Sequence, residues 1–177
     1  FALATALGLL LAVCAVSRHA VLRQGARFYV EVMRGVPILV LLLYVAFVAA
    51  PAIVAGLNAL SEALGLGRVQ TRDFSLMWRA IIALALAYAA FIAEVFRAGL
   101  LSVDKGQDEA ATALGLGWWH TMTRVVLPQA MRVIIPPTGN ELISMLKTTS
   151  LVTAVPYSYD LYSIASREIA ARTFEPV

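Results

Sequence analysis

From Gly35 to Ser61 the chain carries no charged side chain. A bilayer-crossing helix needs about 20 predominantly apolar residues, and this run exceeds that length. Three further stretches have the same character. Phe1 to Ser17 is uncharged and ends at Arg18; Ser75 to Val103 is interrupted only by Arg79, Glu94 and Arg97; Val133 to Val155 is interrupted only by Glu141 and Lys147. Across all 177 residues 60% are hydrophobic and 14% charged. A soluble core of this size does not require so much apolar residue, whereas hydrocarbon does. The reading is an all-α integral membrane protein of one transmembrane domain. Its spans are expected near 1–17, 35–56, 75–103 and 125–155.

The charge distribution orients those spans. The formal net charge is +3, which by itself could suit a nucleic-acid partner. Arg18, Arg23, Arg27 and Arg34 instead cluster between the first two spans, and Arg97, Lys105, Arg124 and Arg132 between the last two. The opposite side holds Arg68, Arg72 and Arg79, then Arg167 and Arg172. Such a bias predicts that the first and third connections are cytoplasmic. No nucleic-acid role follows. Phe1–Ser17 lacks the basic flank and small-residue cleavage site of a signal peptide, so it reads as a first span whose beginning is trimmed.

The connections are informative in different degrees. Arg23, Arg27, Phe28 and Tyr29 suit an interfacial segment; Glu31 and Arg34, three apart, can pair on one helix face. Gly35 and Pro37 suit the mouth of the second span, where proline is tolerated in a first turn, and Pro51 is expected to kink or end that span. Gly65 and Gly67 read as turn residues. Beyond the fourth span, 156–173 has Leu161, Ile164, Ala165 and Ile169 at helical spacing beside Tyr157, Tyr159 and Tyr162. It reads as an outer-face amphipathic segment with an aromatic belt.

Catalytic and metal chemistry find little support. Cys14 stands alone, which excludes an internal disulfide, and His19 and His120 have no cysteine or carboxylate at metal-ligand spacing. No G-x-x-x-x-G-K-[ST] stretch occurs, so the chain does not carry its own ATP-hydrolysing phosphate loop.

The stretch "DEAATALGLGWWHTMTRVVLPQ" (108–129) is the exception to this blandness. Asp108 and Glu109 suit the positive end of a helix, Ala110, Ala111, Ala113 and Leu114 propagate it, and Gly115 can stop it in the left-handed conformation. Trp118 to Val126 can restart the helix, and Pro128 marks the entry to the fourth span. Such a glycine joint is either an ordinary helical hairpin or a docking element.

Glu109-Ala110-Ala111, three residues, Gly115, nine residues, Val125, then Leu127-Pro128 resembles the EAA loop of ABC-importer permeases. Val125 stands where the pattern usually has isoleucine. "FYVEVMRGVPILV", "AYAAFIAEVFRAGLLSVDKGQDEAATALG" and "LPQAMRVIIPPTGNELISMLKTTSLV" resemble the histidine/glutamine-type polar amino-acid branch, over residues 28–47 and 87–152. The resemblance implies a type I-like transmembrane domain of five core spans, the last beyond Val177, in a bacterial inner membrane. It implies pairing with an identical or related permease copy, two separate ATPase subunits that hold ATP and Mg, and an extracytoplasmic amino-acid-binding protein. Residues 104–124 would then be the coupling loop.

Ionisable groups inside a span are costly and mark interior or wet positions. Glu94 and Arg97 are expected to neutralise each other near the cytoplasmic end. Pro136, Pro137 and Gly139 suggest a broken or distorted fourth span, whose freed polar groups could face a cavity. Asn140, Glu141, Lys147, Thr148, Thr149 and Ser150 are candidates for the substrate pathway, with polar attachment between helices as the alternative. The rival functions are a stand-alone carrier or channel using Glu141 or Lys147 as a relay, and a membrane scaffold; neither needs a glycine-hinged docking helix.

Overall fold

A computed structural model describes residues 1–17, 19–63 and 75–154. Arg18, the glycines and arginines of 64–74, and the 156–173 segment with its tyrosines lie outside the described residues. Every regular element among the described residues is helical. In order these are α1 (Ala2–Val16), α2 (Ala20–Gly35), α3 (Ile38–Tyr44), a π-helical turn (Val45–Ala49), α4 (Ala50–Ala63), α5 (Leu76–Leu101), α6 (Lys105–Ala113), α7 (Trp118–Thr121), a second π turn (Met122–Val126), α8 (Leu127–Thr148) and a 3-10 turn (Thr149–Ala154).

Two helical runs, Ile38–Glu62 and Leu76–Leu101, are long and apolar enough to cross a membrane. The second, with 26 residues, reaches about 39 Å at 1.5 Å per residue, more than the roughly 30 Å of hydrocarbon. The apolar helix Ala2–Val16 is shorter. Helix α8 has the length but carries Arg132, Asn140, Glu141 and Lys147.

Contacts group the chain into two compact units: Phe1–Gly35 with Leu86–Ser144, and Val36–Ala85 with the chain from Met145. In the first, α1 turns a stripe of small residues inward, Ala4, Gly8, Ala12 and Ala15. A Cβ on Gly8 would lie 2.8 Å from the Ile92 side chain and 3.0 Å from the Ala89 carbonyl, so α1 and α5 approach nearly backbone to backbone. Gly99 does the same for α5 and α8, since a Cβ there would run into the Ile134 side chain. Val30, Ala90 and Ala93 form a buried cluster against which Leu11, Tyr29 and Met33 pack.

In the second unit, Leu41, Leu42, Val45, Ala46, Ala50, Val54, Ala80, Ala83 and Leu84 are buried. The large residues Leu39, Val40, Phe47, Val48, Ile53, Leu57 and Leu60 point outward. Large apolar side chains facing outward in this unit, and the small-residue stripe of α1 in the first, are features helices show in lipid, where close backbone approach rather than burial of leucine drives association.

Two local expectations need correction. Pro51 neither ends nor breaks the second span: α4 begins at Ala50 and runs to Ala63. The π turn before it widens the backbone, with the Ala50 amide bonding the Val45 carbonyl, and so makes room for a ring that would otherwise press on the carbonyl four residues back. Nor does the Pro136-Pro137-Gly139 stretch break α8, which is helical from Leu127 to Thr148 with both prolines inside. Proline's fixed φ suits a helix, and the two carbonyls that lose their donors belong to Arg132 and Val133, both exposed.

Candidate functional site

Helix α6 begins earlier than the acidic pair suggests. Its N-cap is Asp104, whose carboxylate accepts from the Gly106 amide at 2.6 Å. Asp108 lies in the first turn, where its charge meets the dipole. Glu109 falls beyond that turn and is exposed. The signal for Asp104 was present in the sequence: an aspartate just before the helical run is a preferred cap.

The helix closes at Gly115, which takes φ 78°. The Leu116 amide donates to the Ala111 carbonyl at 3.0 Å and the Gly115 amide to the Thr112 carbonyl at 2.9 Å. This pair of bonds is a Schellman closure, and it satisfies carbonyls the helix end would leave bare. A Cβ at Gly115 would meet open space, so the demand for glycine is conformational rather than steric. The chain then turns through Gly117 into α7. Ala111 and Thr121 are buried, while Glu109 and Ala110 stay exposed. The Gln129 amide reaches Gln107 at 3.2 Å and ties α6 to α8, close to Leu127 and Pro128, which are both exposed.

What the motif alone did not single out is the apolar tip. Leu114 is 82% exposed, and Trp118 and Trp119 are each 67% exposed with their rings 6.0 Å apart. Side chains of this size beside an exposed Glu-Ala pair form a surface with hot-spot composition.

The family-motif residues of α2 and α5 are brought together. Arg27, Glu31, Arg34, Gly35, Phe91, Glu94 and Arg97 line a cavity of about 660 Å³. Glu94 and Arg97 form the expected ion pair: Nε donates to Oε2 at 2.9 Å and Nη2 to Oε1. Glu31 and Arg34 do not pair with each other among the described residues. The Arg34 guanidinium lies 5.6 Å from the Phe91 ring centroid, a contact that competes well with an exposed ion pair worth little. Pro37 caps α3. Tyr29 donates its hydroxyl to the Leu86 carbonyl at 2.9 Å, and burial pushes its phenol above the ordinary value.

Along α8, Asn140 and Lys147 are exposed and Glu141 is half-buried. Thr149 donates to the Leu146 carbonyl at 2.6 Å and Ser150 to the Lys147 carbonyl at 2.8 Å. Those two hydroxyls therefore serve the end of the helix and retain only acceptor capacity for anything else.

Two apolar helices of membrane-crossing length, with a glycine-closed hairpin further along the chain, fit a membrane component of a transport system. Residues 4–158 match the family described as binding-protein-dependent transport system inner membrane component, and the chain belongs to that family. It is 46% identical over 179 residues to the arginine transport system permease protein ArgU of Corynebacterium glutamicum, covering 99% of this chain and 54% of that one. It is 38% identical to a probable amino-acid ABC transporter permease protein, YckA, of Bacillus subtilis, covering 85% of this chain and 59% of that one. The chain thus spans a little over half the length of these curated relatives. A solved structure, titled as an amino acid ABC transporter with histidines, superposes with a TM-score of 0.70 at 30% identity, covering 98% of this chain and 73% of that one.

Proposed function

We propose that this chain is the membrane-spanning part of an ATP-driven importer for polar amino acids, and that the α6–α7 hairpin couples it to a separate ATPase. The observation that carries the reading is the hairpin. Glu109 and Ala110 stand exposed on a short helix whose end is closed by Gly115, next to an exposed Leu114 and tryptophan pair. A rigid, polar-flanked apolar tip suits insertion into a cleft of another protein. The amino-acid class rests on the named relatives, the arginine permease ArgU among them.

In this reading Asp108, Glu109, Ala110, Ala111, Gly115, Leu127 and Pro128 serve coupling. Asn140, Glu141, Lys147, Thr148, Thr149 and Ser150 are the candidates for the pathway, and Glu31, Arg34, Gly35, Pro37, Glu94 and Arg97 are structural residues of the family motif. The partners are two ATPase subunits holding ATP and Mg, a second permease copy, and an extracytoplasmic amino-acid-binding protein. The test is co-expression of the full-length permease with its neighbouring ATPase and binding protein, reconstitution in vesicles, and a screen of amino acids for ATP-dependent uptake. Uptake that requires all the subunits supports the proposal. Robust ATP hydrolysis by the isolated permease, or uptake that persists without the ATPase, overturns it.

A further inference from the structure

The π turn at Val45–Ala49 leaves one backbone group with no helical partner. The Ala50 amide, which in a regular helix would bond the Ala46 carbonyl, goes to Val45 instead. In the wide register the next donor to Ala46 would be the amide of residue 51, and Pro51 has none. Ala46 is fully buried, so water does not fill the gap. The Arg79 guanidinium does: its Nη1 donates to the Ala46 carbonyl at 3.0 Å, and Arg79 itself is only 8% exposed.

We propose that Arg79 is a positioning residue that substitutes for the missing Pro51 amide and latches the wide turn of the second span to the start of α5. Two costs cancel in this arrangement. A carbonyl stranded in an apolar span is unfavourable, and so is an arginine placed there. The guanidinium supplies the donor that the carbonyl lacks, and the carbonyl takes up part of the arginine's bonding demand. The latch holds the second span in the wide register of the π turn, a helical irregularity that often marks a functional position.

The proposal makes the need for Arg79 conditional on Pro51. In Pro51→Ala, residue 51 regains an amide. Whether the turn stays wide (51 to 46) or relaxes to regular register (50 to 46), the Ala46 carbonyl then has a backbone donor. The experiment is a four-way comparison of wild type, Arg79→Met, Pro51→Ala and the double variant in the full-length, assembled complex. It is read by thermal unfolding midpoint and by uptake per complex.

Arg79→Met is expected to lower the midpoint by about 5 °C or more and to reduce turnover at least tenfold. The half-saturating substrate concentration should stay unchanged, because the residue acts through the span rather than on the substrate. Pro51→Ala alone should stay within about 2 °C of wild type, and the double variant should recover at least half of the loss. Where Arg79→Met does not accumulate, recovery of accumulation by Pro51→Ala is the expected result. A double variant as impaired as the sum of the single variants, or no recovery of accumulation, overturns the latch. A wild-type complex that carries no amino acid would break the transport reading instead and leave the midpoint comparison intact.

Discussion

Pro51 and Pro128 each stand two residues beyond the end of a π-helical turn, Val45–Ala49 and Met122–Val126. Both turns end on the same wide bond, Ala50 to Val45 in one and Leu127 to Met122 in the other. The sequence chemistry is alike, but the surroundings are not. The first turn includes the buried Val45 and Ala46 and recruits a buried arginine from α5. The second contains no buried residue, and water can serve its backbone. A proline-induced wide turn is thus a local event whose cost is decided by the solvent around it. In an apolar span it calls up a charged side chain; in a hairpin at the end of a helix it needs nothing further.

That contrast predicts that substitutions in the packed helices outweigh those in the hairpin. The largest effect is expected at Gly99, where leucine would have to displace the Ile134 side chain. Overpacking of this kind costs about 1–3 kcal/mol, and the purified full-length protein should show a clearly lowered unfolding midpoint or fail to assemble. A Gly99→Leu protein as stable as wild type would mean that α5 and α8 do not approach as described.

Next comes Gly115→Val, which forces a β-branched residue to φ 78° at roughly 1–2 kcal/mol. Because a Cβ there meets open space, the protein should insert and assemble while ATP hydrolysis and uptake come apart. Normal uptake at wild-type expression would remove the hairpin from the coupling mechanism. Glu109→Lys sharpens the point. Glu109 lies outside the first turn of α6, so the dipole penalty, at most about 0.3–1 kcal/mol at a helix terminus, largely vanishes. Lost coupling in that variant reports on the partner surface rather than on the helix.

Glu141→Gln contrasts a half-buried carboxylate with the backbone-held Arg79. A pathway role predicts a changed ranking among basic, neutral and acidic amino acids in the same vesicles, with the basic ones weakened most. An unchanged ranking with lower complex yield would assign Glu141 to helix attachment. The smallest effect is expected for Pro128→Ala, within about 0.5 kcal/mol of wild type as for other surface substitutions. A large loss there would show that the two wide turns are not so different.

Much of this architecture was legible in the residues. One uncharged run and one apolar run with three charges located the two long apolar helices, and the spacing around Gly115 anticipated a helix closed by a left-handed glycine. The three-residue spacing of Glu94 and Arg97 anticipated their ion pair. Other features depend on context that a linear reading lacks. Arg34 could face Glu31 on its own helix or an aromatic ring from elsewhere, and only packing chose Phe91. Pro51 reads as a kink or an end and Pro136-Pro137 as a break or a distortion, yet helical structure continues through all three, because a wide turn or an exposed side absorbs the lost bonds. Helix α6 starts at Lys105, ahead of the more conspicuous acidic pair, because Asp104 is the residue that caps it.

The Schellman closure at Gly115 has an entropic consequence for any protein that receives the hairpin. Ordering a loose loop costs about 1–2 kcal/mol of backbone entropy for each residue fixed on docking. From Asp104 to Thr121 much of that ordering is already complete in the free chain, through the cap, the two closing bonds and the buried Ala111 and Thr121. Contact made by Leu114 and the tryptophan pair can therefore go into holding the partner rather than into shaping the tip. A stiff tip also transmits displacement: motion of the receiving cleft would reach the base of α8 as a push on a preformed wedge, with little slack to take up.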